Sequence, residues 1–293
     1  MKPSSPVCPV CASETVAKYR FGRYTLRHCR RCSFIFCHPL PTKAELDAYY
    51  SDAYFDKPRY NVSEEDEIPE PVARPWKRRL GVIDELVVSE KASGSRCLLD
   101  IGAGTGIFAA LAGEAGWEVS CVEFSEHGRE DIKRRLGPEC HVASRFEPDA
   151  YSDEHFDLIT LWAVFEHMPY AVNTLRAWYG KLKPGGVLAV STPNTRCLNR
   201  CLFGKNWRYF CPPEHIAYYN ESVLQRVFGE VGFRPLRAEK FFSREAFFEG
   251  LGRFSRLKGI KSLERVVWKT ADAMGWGDTI EIFFRKTTQF RTS

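Results

Sequence analysis

Apolar positions change their period repeatedly along the chain, and each change marks an element. Thr42 with Glu45 three positions on, then Leu46, Tyr49 and Tyr50 on one side, predicts a capped helix. Trp76, Leu80, Ile83 and Leu86 recur at helical spacing. Cys97 to Ile101 reads as a short buried strand, broken by Gly102, Gly104 and Gly106. A helix then runs from Ile107 to Ala115 and stops at Gly116. Val119 to Phe124 is a second strand, and Ser125 caps a helix that closes at Gly137. "HFDLITLWAVF" is a strand, Tyr170 to Leu182 a helix, and "PGGVLAVSTP" a turn and strand. Asn220 caps a helix to Val231, with Val223, Leu224, Val227 and Val231 toward the core. "FRPLRAEKFF" is a further strand and "DTIEIFFRK" the last. Between them lies a basic helical insertion with Leu257, Ile260, Leu263 and Val267 on one face. This strand–turn–helix alternation predicts an α/β fold with a doubly wound sheet.

Composition narrows the setting. A chain of 293 residues allows one large domain plus a small module. Hydrophobic content of 44% and charged content of 27% describe a soluble globular chain. The first residues lack the apolar core of a signal peptide, and no run of about 18 apolar residues exists. The expected location is therefore cytoplasmic, and the eleven cysteines call for an explanation other than disulfides. A net charge of +5 suits an acidic small molecule as well as nucleic acid and decides neither.

The front of the chain carries that explanation. Cys8-Pro-Val-Cys11 and Cys29-Arg-Arg-Cys32 are two C-x2-C knuckles with seventeen residues between them. Four thiolates at this spacing suit one tetrahedral Zn2+ in a closed, structural site. "KYRFGRYTLRHC" between the knuckles reads as a hairpin turning near Gly22. His28 and His38 are ordinary surface residues on this reading. The domain plan is a zinc-ribbon module at 1–41, then a helix and acidic proline-rich linker at 42–75. The main domain spans 76–293, with its helical insertion at about 244–276. "NVSEEDEIPEPVARP" is the linker or a mobile flap.

Glycines in the central turn let a ligand approach the backbone, and the helix behind them offers free N–H groups. Glu123 ends the second strand, where a carboxylate accepts hydrogen bonds from ribose hydroxyls. The Gly-x-Gly-x-Gly spacing differs from that of dinucleotide sites, and Asp100 just before it would repel a pyrophosphate. A ligand bearing an ammonium group suits it better. "LLDIGAGTG", Glu123, "FDLITLWAVFEHM" and "LKPGGVLAVSTPN" together resemble the class I S-adenosylmethionine-dependent methyltransferases. The resemblance implies a seven-stranded Rossmann-like sheet whose last strand inserts antiparallel beside the sixth. It implies that Asp100, Gly102, Ala103, Gly104 and Gly106 hold the methionine end. Glu123, followed by Phe124, would serve the ribose, and Leu161 and Trp162 would flank the cofactor. Ser144, Arg145 and Glu147 are the candidates near adenine.

The two knuckles, "FIFCHPLPTKAELDAYYSDAYFD" and "PPEHIAYYNESVLQRVFGEVGF" are similar to a bacterial subgroup that modifies sugars, cell-surface polysaccharides or natural products. Zinc-bearing sugar-nucleotide C-methyltransferases share the front half but usually carry a further C-terminal domain. The shorter chain favours oxygen as acceptor.

A hydroxyl acceptor needs a positioned base, most often histidine. Open α/β sheets bind ligands at the carboxyl ends of their strands. His167 falls just past the fourth strand, and His215 lies in "CPPEHIAYYN" after the fifth; both reach that edge. Position alone leaves His167 open between pocket architecture and proton transfer, and His215 open between loop packing and proton transfer. Glu166 and Glu214 could orient these histidines, bind sugar hydroxyls or hold a metal ion. Tyr218 and Tyr219 are candidate hydroxyl contacts, though adjacent tyrosines often place one ring in the core. Trp207, Arg208 and Tyr209 suit ring stacking and phosphate pairing, or plain loop packing. Arg253, Arg256, Lys258 and Lys261 form a solvated face or attract a phosphorylated or lipid-linked substrate. The expected activity is O-methylation of a sugar, glycan or related small metabolite. The alternatives are a zinc-module-assisted RNA methyltransferase, a nucleotide-sugar C-methyltransferase, or a non-enzymatic scaffold. The acidic linker argues against nucleic acid.

Overall fold

The computed structural model describes residues 6–49, 68–87, 95–170, 172–252 and 260–287. At 47, 245, 260–265 and 272 it describes the backbone alone. Two sheets organise the chain. The smaller begins with the hairpin β1 (Thr15–Phe21) and β2 (Tyr24–Cys29), turning at Gly22 as the sequence predicts. β3 (Ile35–His38) pairs antiparallel with β2. The fourth strand comes from far along the chain. β9 (Ala217–Tyr218) pairs with β3, Phe36 opposite Ala217 and Ile35 opposite Tyr218. The segment "CPPEHIAYYN" is thus a strand of the N-terminal sheet, and no periodicity in two residues could have announced it.

The larger sheet has seven strands in the order β10-β11-β8-β7-β4-β5-β6. These are β4 (Arg96–Ile101), β5 (Trp117–Val122), β6 (His141–Ala143), β7 (Phe156–Trp162), β8 (Leu182–Pro193), β10 (Phe233–Phe241) and β11 (Thr279–Lys286). β4 to β8 are mutually parallel, whereas β11 inserts antiparallel between β8 and β10. This is the seven-stranded Rossmann-like arrangement expected. Leu98, Leu99, Leu158, Ile159, Leu188 and Val190 are inaccessible, as strands covered on both faces require.

The predicted helices α1 (Lys43–Tyr49), α3 (Ile107–Glu114), α4 (Glu126–Leu136), α5 (Val172–Lys181) and α7 (Glu221–Gly229) are present. Thr42 and Glu45 form a reciprocal capping box: the Glu45 N–H donates to the Thr42 hydroxyl at 3.3 Å, and the Thr42 N–H to Glu45 Oε2 at 2.8 Å. Ser125 and Asn220 cap α4 and α7 by accepting from Gly128 and Val223.

Boundaries differ where tertiary contacts decide. α2 (Glu70–Leu86) starts inside the stretch read as linker. Pro71 sits in its first turn, where no N–H is needed, and Pro75 removes one bond farther in. Arg78 and Arg79 tie this helix to Glu281 of β11. The second strand of the large sheet ends at Val122, one residue before Glu123, and Leu182 leaves the helix to pair with Phe156. The helical insertion contains α8 (Arg244–Leu251) and α9 (Ile260–Ala273); α6 (Leu198–Phe203) precedes it. Tyr50, the linker residues 61–67, Leu257, Arg253, Arg256 and Lys258 lie outside the described residues.

Candidate active site

The glycine turn leaves β4 and opens α3. Gly102, Gly104 and Gly106 have φ of 70°, 58° and 77°, a region that side chains with a Cβ rarely enter. Their surroundings differ. A Cβ at Gly102 would sit 2.4 Å from Val164 Cγ2, and one at Gly106 2.9 Å from Ile132 Cγ1. One at Gly104 would meet nothing within 4 Å. The middle of the turn therefore presents bare backbone to open space, while its two ends are packed down.

Two carboxyl groups border this turn. Asp100 is 1% exposed and accepts from the Thr160 hydroxyl at 2.6 Å. Burial pushes its acid up to about 7. Glu123 accepts from the N–H of Gly104 at 2.7 Å and of Ser125 at 2.8 Å, so backbone bonds fix its orientation. Its burial also raises its pKa. A ligand with an ammonium group at Asp100 and hydroxyl donors at Glu123 would supply both with partners.

Beyond β7 the backbone kinks at Ala163, φ 55°, whose N–H is held by the Ser191 carbonyl at 3.0 Å. A single 3-10 turn, Phe165–His167, follows. It is stitched to "CPPEHIAYYN" by the Ile216 N–H donating to the Glu166 carbonyl at 2.9 Å. On its other side the arm accepts from β3: the Cys37 N–H reaches the Ile216 carbonyl at 2.8 Å. Tyr219 bridges to Asn194 just past β8, and its ring stacks on Phe165 at 4.8 Å.

This stitching brings His167 and His215 together, ring centroids 4.7 Å apart and nearly perpendicular. His167 Nδ1 lies 2.8 Å from the Glu214 carbonyl oxygen, and His215 Nδ1 lies 3.0 Å from that of Tyr209. A carbonyl only accepts, so each Nδ1 carries a proton. When neutral, each ring then has its lone pair on Nε2. The Glu166 carboxylate is 2% exposed, its Oε2 has no hydrogen-bond partner among the described residues, and burial pushes its acid up to about 8. Tyr49 of α1 donates its hydroxyl to Glu214 Oε2 at 2.5 Å. The sequence gives no sign of this last pair, since nothing in α1 points to a partner so far along the chain.

The remaining candidates are placed as follows. Leu161 is inaccessible in β7, and Trp162 packs against Trp76 and Phe108 under the Arg79 guanidinium. Phe124 is 64% exposed. Ser144, Arg145 and Glu147 follow β6, with Arg145 3.8 Å from Glu147. Trp207 is 1% exposed and donates its indole N–H to Asp278 at 3.1 Å, so its ring is committed to the core of the small sheet. Arg208 pairs with Glu249 at 3.3 Å, and Tyr209 stacks over His215. Tyr218 and Tyr219 are both buried; the Tyr218 hydroxyl donates to the His215 carbonyl at 2.7 Å. Neither tyrosine nor Trp207 faces an open surface. Asp278, inaccessible and also accepting from Asn199 and the Ser243 N–H, organises this region.

The two cysteine knuckles adopt one conformation twice. The Ala12 N–H donates to the Cys8 carbonyl and the Ser33 N–H to that of Cys29, and Ala12 and Ser33 both have positive φ, 55° and 66°. The sulfurs of Cys8 and Cys32, and of Cys11 and Cys29, are 3.5 Å apart, and the four lie within 4.8 Å of one another. Sulfurs on a tetrahedral zinc are about 3.8 Å apart, given a bond of about 2.3 Å. The donor set and its spacing fit such an ion.

Sheet order, glycine turn and paired carboxyls define a class I methyltransferase domain. Residues 76–238 match the family model described as "Methyltransferase domain", and the chain belongs to that family. Among curated proteins it is 28% identical over 119 residues to the ubiquinone biosynthesis O-methyltransferase of Actinobacillus pleuropneumoniae, covering 36% of this chain and 50% of that protein. It is 27% identical over 193 residues to the demethylmenaquinone methyltransferase of Staphylococcus saprophyticus, covering 57% and 79%. The chain thus spans about half the length of the ubiquinone-pathway relatives it matches. Among solved structures, the 1,6-didemethyltoxoflavin-N1-methyltransferase of Burkholderia thailandensis, with S-adenosylhomocysteine bound, shares the fold. Its TM-score is 0.51 at 14% identity, over 92% of this chain and 99% of that one. A methyltransferase from Archaeoglobus fulgidus does so at 0.50 and 21%, over 73% and 94%. No helix among the described residues is long and apolar enough to cross a membrane.

Proposed function

We propose that the protein transfers a methyl group from S-adenosylmethionine to an oxygen of a small hydroxylated metabolite, a sugar or glycan being the preferred class. The observation that carries this reading is the pair of imidazoles at the edge of the sheet, each with its proton held on Nδ1 by a carbonyl. The O-methyltransferase names of several relatives support oxygen as the atom modified.

When bound, the cofactor supplies an electrophilic methyl group on a sulfonium. Asp100 holds the ammonium end by charge, the bare backbone of Gly104 admits the chain beside it, and Glu123 accepts from the ribose. The acceptor hydroxyl meets the His167–His215 pair, whose Nε2 lone pairs favour loss of its proton. Glu214, its carboxylate oriented by Tyr49, lies next to this pair through its backbone carbonyl on His167. The four cysteines would hold a structural Zn2+, which would keep β3 in place for β9.

Calorimetric titration with S-adenosylmethionine tests the cofactor, and absence of both heat and thermal stabilisation sinks the reading. Radiolabelled methyl transfer to sugars, glycans and phenolic metabolites then finds the acceptor. With it, His215→Ala lowers turnover about 100-fold or more while leaving cofactor affinity within about twofold.

A further inference from the structure

We propose that Glu166, His167 and His215 form a second metal site, taking a divalent first-row transition ion at the acceptor end of the crevice. One ligand atom from each residue lies within 4.8 Å of the other two. Two imidazole nitrogens and one carboxylate oxygen are the donor set of catalytic zinc and of other open transition-metal sites, and the nitrogens select against magnesium and calcium.

Three independent features point to an ion. Each histidine sends Nδ1–H to a backbone carbonyl, the outer contact that fixes a ligating ring and leaves Nε2 as donor atom. Glu166 is 2% exposed, and its Oε2 is buried with no hydrogen-bond partner among the described residues. A buried carboxylate oxygen without a donor is costly unless a cation or a proton occupies that direction. The Thr192 hydroxyl, on β8 beside the same turn, lies close enough to interact with the Glu166 carboxyl, and the Tyr219 hydroxyl, at the end of the arm, is buried with no hydrogen-bond partner among the described residues. Polar groups from three elements thus gather around the carboxylate.

Ligand atoms on a filled zinc or cobalt site are about 3.3 Å apart, for bonds of about 2.0 Å. His167 and Glu166 share one 3-10 turn, and His215 belongs to the arm bonded to that turn. Closing the spread from within 4.8 Å to about 3.3 Å takes a relative shift of up to about 1.5 Å between two directly bonded segments.

Three protein ligands leave a position for the acceptor. Its hydroxyl oxygen binds there, and the ion lowers the pKa of a ligated hydroxyl; with the ion in place the Nε2 lone pairs serve as ligands, so the proton leaves to water instead of to the imidazoles. The oxygen then forms its bond to the methyl carbon as the carbon–sulfur bond breaks, and the thioether departs. The ion keeps its oxidation state throughout. The identity of the incoming ligand rests on the methyl-transfer reading; the ion's presence does not.

Cobalt titration of the demetallated full chain separates the two sites. The cysteine site gives a thiolate-to-cobalt charge-transfer band, and the Glu-His-His site gives none. The expected uptake is two equivalents, the second adding nothing to that band. Glu166→Gln and His167→Gln each lose the second equivalent and keep the band, with a native cooperative melting transition showing that the variants are folded. Uptake of one equivalent by the native chain overturns the proposal, as does a second equivalent retained in both variants. Calorimetry with S-adenosylmethionine on the same samples reports on the methyl-transfer reading separately: cofactor heat without the second cobalt sinks the metal site alone.

Discussion

Tyr49 and Glu214 are joined hydroxyl to carboxylate at 2.5 Å, although one lies in the helix after the cysteine module and the other in the arm before α7. A hydrogen bond to a charged group is worth about 1.5–3 kcal/mol, much of it spent on orientation. Tyr49→Phe removes the hydroxyl and keeps the ring. Turnover is expected to fall about tenfold with cofactor affinity unchanged, read by steady-state kinetics and calorimetry. An unaltered rate would detach Tyr49 from the reaction.

The turn separates fold from binding at two glycines. Gly102→Ala forces a Cβ to 2.4 Å from Val164 at a positive φ, so the protein should lose about 2–4 kcal/mol of stability. Gly104→Ala costs only the backbone conformation, about 1 kcal/mol, but its methyl group enters the open space assigned to the cofactor. Its melting temperature should stay near the native value while cofactor affinity drops about tenfold or more. Equal stability losses in both variants would contradict this division.

Asp100 predicts a pH dependence whose sign can be worked out. Burial raises its acid from 3.8 to about 7 in the free protein. The fold therefore favours the protonated form: this contribution to stability is complete below about pH 4 and is lost as pH rises through about 7. A cationic ligand favours the ionised form, so binding below pH 7 releases a proton. Cofactor affinity should fall between pH 7.5 and pH 6, by at most about tenfold per pH unit. The binding heat at pH 6.5 should vary with the ionisation enthalpy of the buffer. Asp100→Asn should bind weakly with no such variation; native binding independent of buffer and pH would remove Asp100 from the cofactor site.

The cysteine module and the arm share a sheet, which couples metal to loop order. Cys11→Ser weakens the proposed zinc site without touching β9. Amide exchange at Ile216, Ala217 and Tyr218 is expected to speed up about tenfold, matching about 1.4 kcal/mol of local opening. Cofactor affinity should remain within about twofold. Exchange confined to the module itself would show the two parts to be independent.

Local chemistry made the helices and inner strands legible. Ser125, Asn220 and the Thr42–Glu45 box cap helices through contacts spanning three residues, and such contacts are written in the sequence. Asp100, the three glycines and Glu123 were legible for the same reason: one strand and its turn carry most of them. What was hidden depends on distant partners. β9 is two residues long and exists only because β3 offers an edge. Trp207 in a loop looks alike whether it stacks on a ligand or, as here, is consumed by Asp278 and the core. Proline-rich text preceding Trp76 reads as linker until Arg78 and Arg79 find Glu281 across the sheet.

The pairing of β3 with β9 also sets an order on synthesis. The cysteine knuckles and the first three strands leave the ribosome long before residues 217 and 218 are made. At about 5–20 residues per second the interval is roughly 10–40 s. Throughout it the nascent module has an open edge at β3, the kind of edge that invites pairing with other chains. A metal held early by four thiolates would keep that edge in shape until the rest of the protein delivers its last strand.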